Sequence, residues 1–334
     1  MSEGTPVSDP EVFQPQSTSE PRLAATPDEA PAAKSKKHSE LVRRMITAAV
    51  LVPAAIYIII TGGLLILATV VVIIVLGQRE FYRLIEDKGV QPLVGLGLVA
   101  GAALPVVAYL GNEYHATLLM TASLLALMVA QLGKAEITEA LASISGTFFG
   151  VFYVGWLLSH TVVLRRFHDA ALAKYGAEDL LFLGLTAGAG IFFLIYTLTV
   201  VVGCDAGAYF AGRAYGRRKL APKISPGKTV EGALGGVLAG IAAGLVVKGI
   251  FDLFWPSLSS AFPWSLVIPF AVVLSCVGVI GDLVESLLKR DAKVKDTGAL
   301  LPGMGGVLDR IDSPLLAIPV MYYMLLGYFY LRIG

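Results

Sequence analysis

The chain has 334 residues, a formal net charge of +1 at pH 7 and 56% hydrophobic residues, with a mean hydropathy of +0.73. That composition excludes an ordinary soluble domain and describes a polytopic integral membrane protein; the near-zero charge excludes a global basic field of the kind that attracts nucleic acid. Two cysteines, Cys204 and Cys276, and four histidines show no metal-ligand spacing, so thiolate or imidazole metal chemistry is not expected.

Residues 1–40 are rich in Pro, Ser, Thr and Glu, too polar to bury a core, and are expected to form a disordered tail and not a cleavable signal. Lys34, Lys36, Lys37, Arg43 and Arg44 then make a basic collar that holds the amino terminus on the cytoplasmic side. From Met45 to Leu76 the chain is almost continuously apolar, longer than one span needs. Thr61-Gly62-Gly63 breaks this run, which predicts two short helices in a tight hairpin. QREFYRLIEDKG (78–89) reads as a cytoplasmic amphipathic connection. Spans are expected near 92–110, 116–132, 142–164 and 180–202, then at 229–250, 265–286 and 314–332. The 229–250 span carries Gly232, Gly236, Gly240 and Gly244 at four-residue intervals, a smooth stripe suited to close helix contact within the fold or between protomers. The expected fold is all-α, with about nine transmembrane helices. It divides into the tail (1–40), the N-terminal transmembrane helices (41–199) and a catalytic transmembrane region (200–334). Most Lys and Arg then fall in loops on one side, which the positive-inside rule makes cytoplasmic.

Two stretches carry chemistry. In 281–313, Asp282, Glu285, Ser286, Lys289 and Arg290 share one helical face. Asp309 and Asp312 form a second acidic i, i+3 pair after a Pro-Gly-x-Gly-Gly turn. Carboxylates from two segments can share a divalent cation, and flanking Lys and Arg can hold phosphate oxygens. The alternative is a solvated loop between spans. Against it, these acids sit at the ends of apolar helices, where a carboxylate is costly unless paired or metal-bound. In 203–228, Asp205, Tyr209 and Arg213 recur at i, i+4, i+8. Ser225-Pro226-Gly227-Lys228-Thr229, followed by Glu231, reads as a phosphate-holding turn leading into a helix start. It is not a Walker A loop, because the G-x4-G-K-[ST] spacing is absent.

The pattern S-x2-K-R-x4-K-D-x-G-x3-P-G-x-G-G-x2-D-R-x-D, running from Ser286 to Asp312, resembles the signature of the phosphatidate cytidylyltransferases. The earlier D-x-G-A-Y-x2-G-R and S-P-G-K-T-x-E-G elements precede it in the same order as in that family. One position departs: Met304 stands where the family usually has His. The resemblance implies that CTP and phosphatidic acid, the latter in the bilayer, give CDP-diacylglycerol and pyrophosphate. A lipid phosphate oxygen would attack the α-phosphorus in line, with Mg²⁺ as cofactor. On that basis Asp282 and Asp309 would be the principal metal ligands with Asp312 beside them, and Asp296 or Asp205 would be further candidates; the carboxylates leave room for a second cation. Lys228 with the Ser225 turn would hold the triphosphate. Lys289, Arg290, Lys295 and Arg310 would hold pyrophosphate oxygens or the lipid headgroup, and Gly303, Gly305 and Gly306 would let backbone N–H groups reach phosphate. The family and the glycine stripe are compatible with a homodimer.

A phosphate monoester is largely dianionic at neutral pH, so the nucleophile needs little help in losing a proton, and activity is expected to survive Met304. A CDP-alcohol phosphotransferase would need a D-G-x2-A-R run that this sequence lacks. A CTP-dependent lipid-alcohol kinase, transferring the γ-phosphoryl group, is the nearer alternative. An ion-coupled transporter is the alternative from another class.

Overall fold

The computed structural model describes residues 49–111, 113–134, 137–298, 300 and 305–333. The tail, the basic collar, Pro302, Gly303 and Met304 lie outside the described residues. Helix α1 (Ala49–Thr61) ends at Gly62-Gly63, whose φ angles of 63° and 55° lie in the left-handed region that glycine alone tolerates cheaply. Beyond this break the expectation of a short helix fails. Helix α2 (Gly63–Glu86) is 24 residues long and takes in most of the supposed connection. It continues because its buried face does: Ile66, Val70 and Ile74 give way to Gln78, Glu80, Phe81 and Tyr82, all buried, and the two polar ones have partners. The Gln78 amide donates to the Gly97 and Gly150 carbonyls at 3.3 and 3.2 Å.

Helices α3 (Val94–Leu110) and α4 (Glu113–Leu132) follow. The next span is one continuous helix, Ala140–Arg165, made of α5 (Ala140–Gly150), a π-helical turn (Val151–Trp156) and α6 (Leu157–Arg165). Arg165, the last residue of α6, caps α1. Its Nε and Nη2 donate to the Ile59 and Ile60 carbonyls at 2.7 and 3.1 Å, which satisfies carbonyls that a helix end leaves without partners. Two short helices follow, α7 (Phe167–Tyr175) and α8 (Ala177–Phe182), and α8 occupies the place where the 180–202 span was expected to begin. The span itself is α9 (Ala189–Tyr215), and the 199/200 division of the sequence falls inside it.

A small antiparallel hairpin interrupts the helices. Strand β1 (Lys219–Ala221) pairs with β2 (Ser225–Thr229), Lys219 opposite Thr229 and Ala221 opposite Ser225. Then come α10 (Val230–Phe254), α11 (Pro256–Ser259), α12 (Trp264–Asp291) and α13 (Leu308–Ile333). Among the described residues seven helices are long and apolar enough to cross a membrane, and two shorter apolar ones, Ala49–Thr61 and Val94–Leu110, accompany them. The protein is therefore an all-helical, multi-pass membrane protein apart from the hairpin.

The glycine stripe of α10 packs against α9 within the chain. A Cβ on Gly236 would lie 2.8 Å from the Cys204 carbonyl oxygen, and one on Gly232 would lie 2.9 Å from that of Ala208. From the other side, a Cβ on Gly207 would come within 2.3 Å of Ala239 Cβ. The two backbones thus touch along the membrane depth. This contact fixes the C-terminal end of α9 beside the N-terminal end of α10, where the polar residues gather.

Candidate active site

The polar ends of four helices meet. The C-terminal turns of α9 bring Asp205, Tyr209 and Arg213, and the start of α10 brings Lys228, Thr229 and Gly232. The last turns of α12 bring Asp282, Glu285 and Lys289, and the first turn of α13 brings Asp309, Arg310 and Asp312. All of these residues, with Gly227 and Asp296, line one cavity of about 1100 Å³. Leu51, Val52 and Val202 make part of its wall apolar. The spans next to these residues were expected to end at 202 and 286 and to resume only at 314. The structure shows instead that α12 runs on to Asp291 and α13 starts at Leu308, because the polar side chains at these helix ends find partners on the neighbouring helices.

Three carboxylates converge: one oxygen each from Asp282, Glu285 and Asp312 lie within 4.8 Å of one another. Glu285 is buried, and neither of its oxygens has an aligned hydrogen-bond donor among the described residues. Lys289 Nζ stands 2.7 Å from Glu285 Oε2, near enough for charge pairing but out of hydrogen-bonding alignment. Asp282 is paired with Lys228 Nζ at 2.6 Å. A buried carboxylate without a donor, beside two further carboxylates, suits a hard divalent cation that prefers oxygen ligands. The donor set therefore fits Mg²⁺.

Asp309 is placed differently. Its Oδ1 takes Lys289 Nζ at 2.8 Å, and its Oδ2 accepts from the Thr297 N–H, the Thr297 hydroxyl and the Gly306 N–H at 3.1, 3.1 and 2.8 Å. Sequence reasoning named Asp309 beside Asp282 and left Glu285 out of the ligand set. The structure groups Glu285 with Asp282 and Asp312 and surrounds the Asp309 carboxylate with four donor groups, of which Lys289 is shared with Glu285 and the Thr297 hydroxyl with Glu80. The i, i+3 spacing of Asp282 and Glu285 was the signal that could have found it. Gly305 and Gly306 pack against side chains. A Cβ on Gly305 would lie 2.8 Å from Asp309 Oδ2, and one on Gly306 would lie 2.4 Å from Thr297 Oγ1.

The Ser225–Thr229 segment is a strand and not a turn. Ser225 pairs with Ala221, while Lys228 reaches the cavity. The segment does lead into a helix: the Thr229 hydroxyl accepts from the Gly232 N–H at 3.1 Å as the N-cap of α10. Glu231 holds the hairpin, accepting from the Arg217 and Arg218 N–H groups, both at 3.0 Å, and from Arg218 Nε at 2.9 Å. Arg290 donates to the Ile224 carbonyl at 3.2 Å, so it braces the hairpin from outside the cavity lining. Lys295 is exposed and also lies outside that lining.

The model of the cytidylyltransferase family matches residues 42–328. The chain belongs to the cytidylyltransferase family. Among its curated relatives are the phosphatidate cytidylyltransferases of Bacillus subtilis (43% identical over 41% of this chain and 48% of the relative) and Haemophilus influenzae (45% identical over 40% and 46%). That of Synechocystis is 32% identical over 74% of this chain and 84% of the relative. The chain spans about half the length of the first two. In this family member one cavity brings cationic side chains and clustered carboxylates together.

Proposed function

We propose that the chain is a phosphatidate cytidylyltransferase, joining CTP and phosphatidic acid to give CDP-diacylglycerol and pyrophosphate at the cytoplasmic face of the inner membrane. One observation carries this reading. A single cavity at the polar ends of apolar helices combines the Asp282–Glu285–Asp312 carboxylates, the cations Lys228, Lys289, Arg213 and Arg310, and an apolar wall at Leu51, Val52 and Val202.

Two polyanions must meet, and the chain supplies the opposing charge. Lys228, at the N-terminal end of a 25-residue helix, binds the triphosphate, helped by the helix dipole and the first N–H groups of α10. The lipid phosphate oxygen attacks the α-phosphorus and the bond to the β-phosphate oxygen breaks. Lys289 and Arg310 take up the charge that develops on the departing pyrophosphate. Asp282, Glu285 and Asp312 would hold Mg²⁺, which supplies charge neutralisation at the reacting phosphates. The apolar wall lets the diacyl tail stay in the membrane while its headgroup reaches the cavity. The density of Lys and Arg around the site fits the cytoplasmic side.

Purified protein in mixed micelles with phosphatidic acid, Mg²⁺ and CTP labelled at the α-phosphorus tests the reading. Label is expected in the lipid phase, and Asp282→Asn is expected to abolish it. Transfer of label from γ-labelled CTP, with none from α-labelled CTP, would overturn the proposal in favour of a lipid kinase.

A further inference from the structure

A buried acid on α2, far from both motifs in sequence, is wired into the site. Glu80 is 1% exposed. Its Oε2 accepts from the Leu308 N–H at 2.8 Å and its Oε1 from the Val307 N–H at 3.0 Å, so it caps the N-terminus of α13 from another helix. The Thr297 hydroxyl lies 3.2 Å from Glu80 Oε2 and 3.1 Å from Asp309 Oδ2. That hydroxyl has one proton for two carboxylates, so Glu80 and Asp309 compete for it. Asp309 in turn holds Lys289, and Lys289 abuts Glu285 in the carboxylate group. Two glycines of the 298–306 stretch leave room for this acid. A Cβ on Gly298 would lie 2.5 Å from Glu80 Oε1, and one on Gly306 would lie 2.5 Å from Glu80 Oε2.

We propose that Glu80 is the positioning residue of the site: by gripping the first N–H groups of α13 and sharing Thr297 with Asp309, it sets where Asp309 holds Lys289. When a phosphate draws Lys289 away, Asp309 keeps the Thr297 and Gly306 donors. The cation is then released without leaving Asp309 uncompensated, and Lys289 alternates between carboxylate and phosphate. Glu80 touches no substrate. It acts through the geometry of others.

The activity arm of the test rests on the cytidylyl-transfer reading; a second arm does not. Glu80→Gln keeps the shape but puts an NH₂ group against an N–H donor. It is expected to lower kcat by at least about tenfold, as loss of a supporting hydrogen-bond partner does, with KM for CTP within about threefold of wild type. Glu80→Asp should recover part of the loss. In a cycle with Asp309→Asn, the second substitution should add less than about threefold to the loss caused by the first, because both break one network. The same cycle read as melting temperature in micelles without substrate should also be non-additive. Thr297→Val, a smaller perturbation, should shift kcat in the same direction should Glu80→Gln fail to fold. Additive effects in the melting cycle, or a Glu80→Gln protein with wild-type kcat, would overturn the proposal. Absence of cytidylyl transfer by the wild type with non-additive melting would sink the reaction assignment alone and leave Glu80 in place.

Discussion

Removing the ammonium of Lys289 gives a prediction whose magnitude follows from burial. Its side chain is 15% exposed and stands between Glu285, 1% exposed, and Asp309, 5% exposed. Replacing it by Met leaves two carboxylates facing one another. Stripping one partner from a buried charge pair typically costs about 3–5 kcal/mol. Here the two acids do not share the cost equally. Asp309 retains the Thr297 N–H, the Thr297 hydroxyl and the Gly306 N–H, whereas Glu285 has no aligned donor among the described residues. The loss should therefore sit near the lower end, at about 3 kcal/mol, and should reside almost entirely on Glu285. The assay is SDS-induced unfolding in mixed micelles without substrate or metal, followed by far-UV circular dichroism. Lys289→Met should unfold at clearly lower SDS. Adding Glu285→Gln should restore at least about half of the loss, since it removes the stranded charge, whereas adding Asp309→Asn should restore little. A Lys289→Met protein as stable as wild type, or rescue by Asp309→Asn and not by Glu285→Gln, would refute the reasoning.

Three further outcomes are expected. Lys228→Met should raise KM for CTP by about tenfold or more, through loss of one charge-assisted phosphate contact, and should leave the KM for phosphatidic acid within about threefold in micelle kinetics. Gly236→Ala should destabilise the fold by about 1–3 kcal/mol, because its Cβ would lie 2.8 Å from the Cys204 carbonyl oxygen; Gly327→Ala meets nothing within 4 Å and should be neutral or stabilising by up to about 1 kcal/mol in the same SDS titration. Met304→His should change turnover by less than about tenfold, since a dianionic phosphate needs no strong base, and a gain of a hundredfold would show that the Met is a lesion.

The apolar part of the fold was legible because lipid imposes a simple rule: long runs of apolar residues become helices. The break at Gly62-Gly63 and the packing stripe of α10 were visible for equally local reasons. The errors share one cause. The expected spans stopped short of the last turns of α9, α12 and α2 and of the first turn of α13 because those turns are polar. They are helical because their polar groups face each other: Lys228 with Asp282, Lys289 with Glu285 and Asp309, Glu80 with the start of α13. Composition averages over a window and cannot see a partner on another helix. Ser225–Thr229 misled in another way. Its Pro and Gly suggested a turn, but a two-stranded hairpin has edges on both sides and tolerates both residues, and Glu231 clamps it shut.

Glu80 marks the limit of reading chemistry from motifs. Its strongest partners are backbone N–H groups of Val307 and Leu308, which every sequence carries and no side chain advertises. The clue lay at the other end of the contact, in Gly298 and Gly306. Their Cβ atoms would collide with the Glu80 carboxylate, which makes them room for a buried acid. Glycines in a charged motif invite the inference that phosphate must come close. In this site the approach they permit is that of an acid from another helix. On the proposed reading, the cavity cations left to meet phosphate are the side chains of Arg213, Lys228, Lys289 and Arg310, and the acidic network behind Lys289 would set how tightly it is held until phosphate arrives.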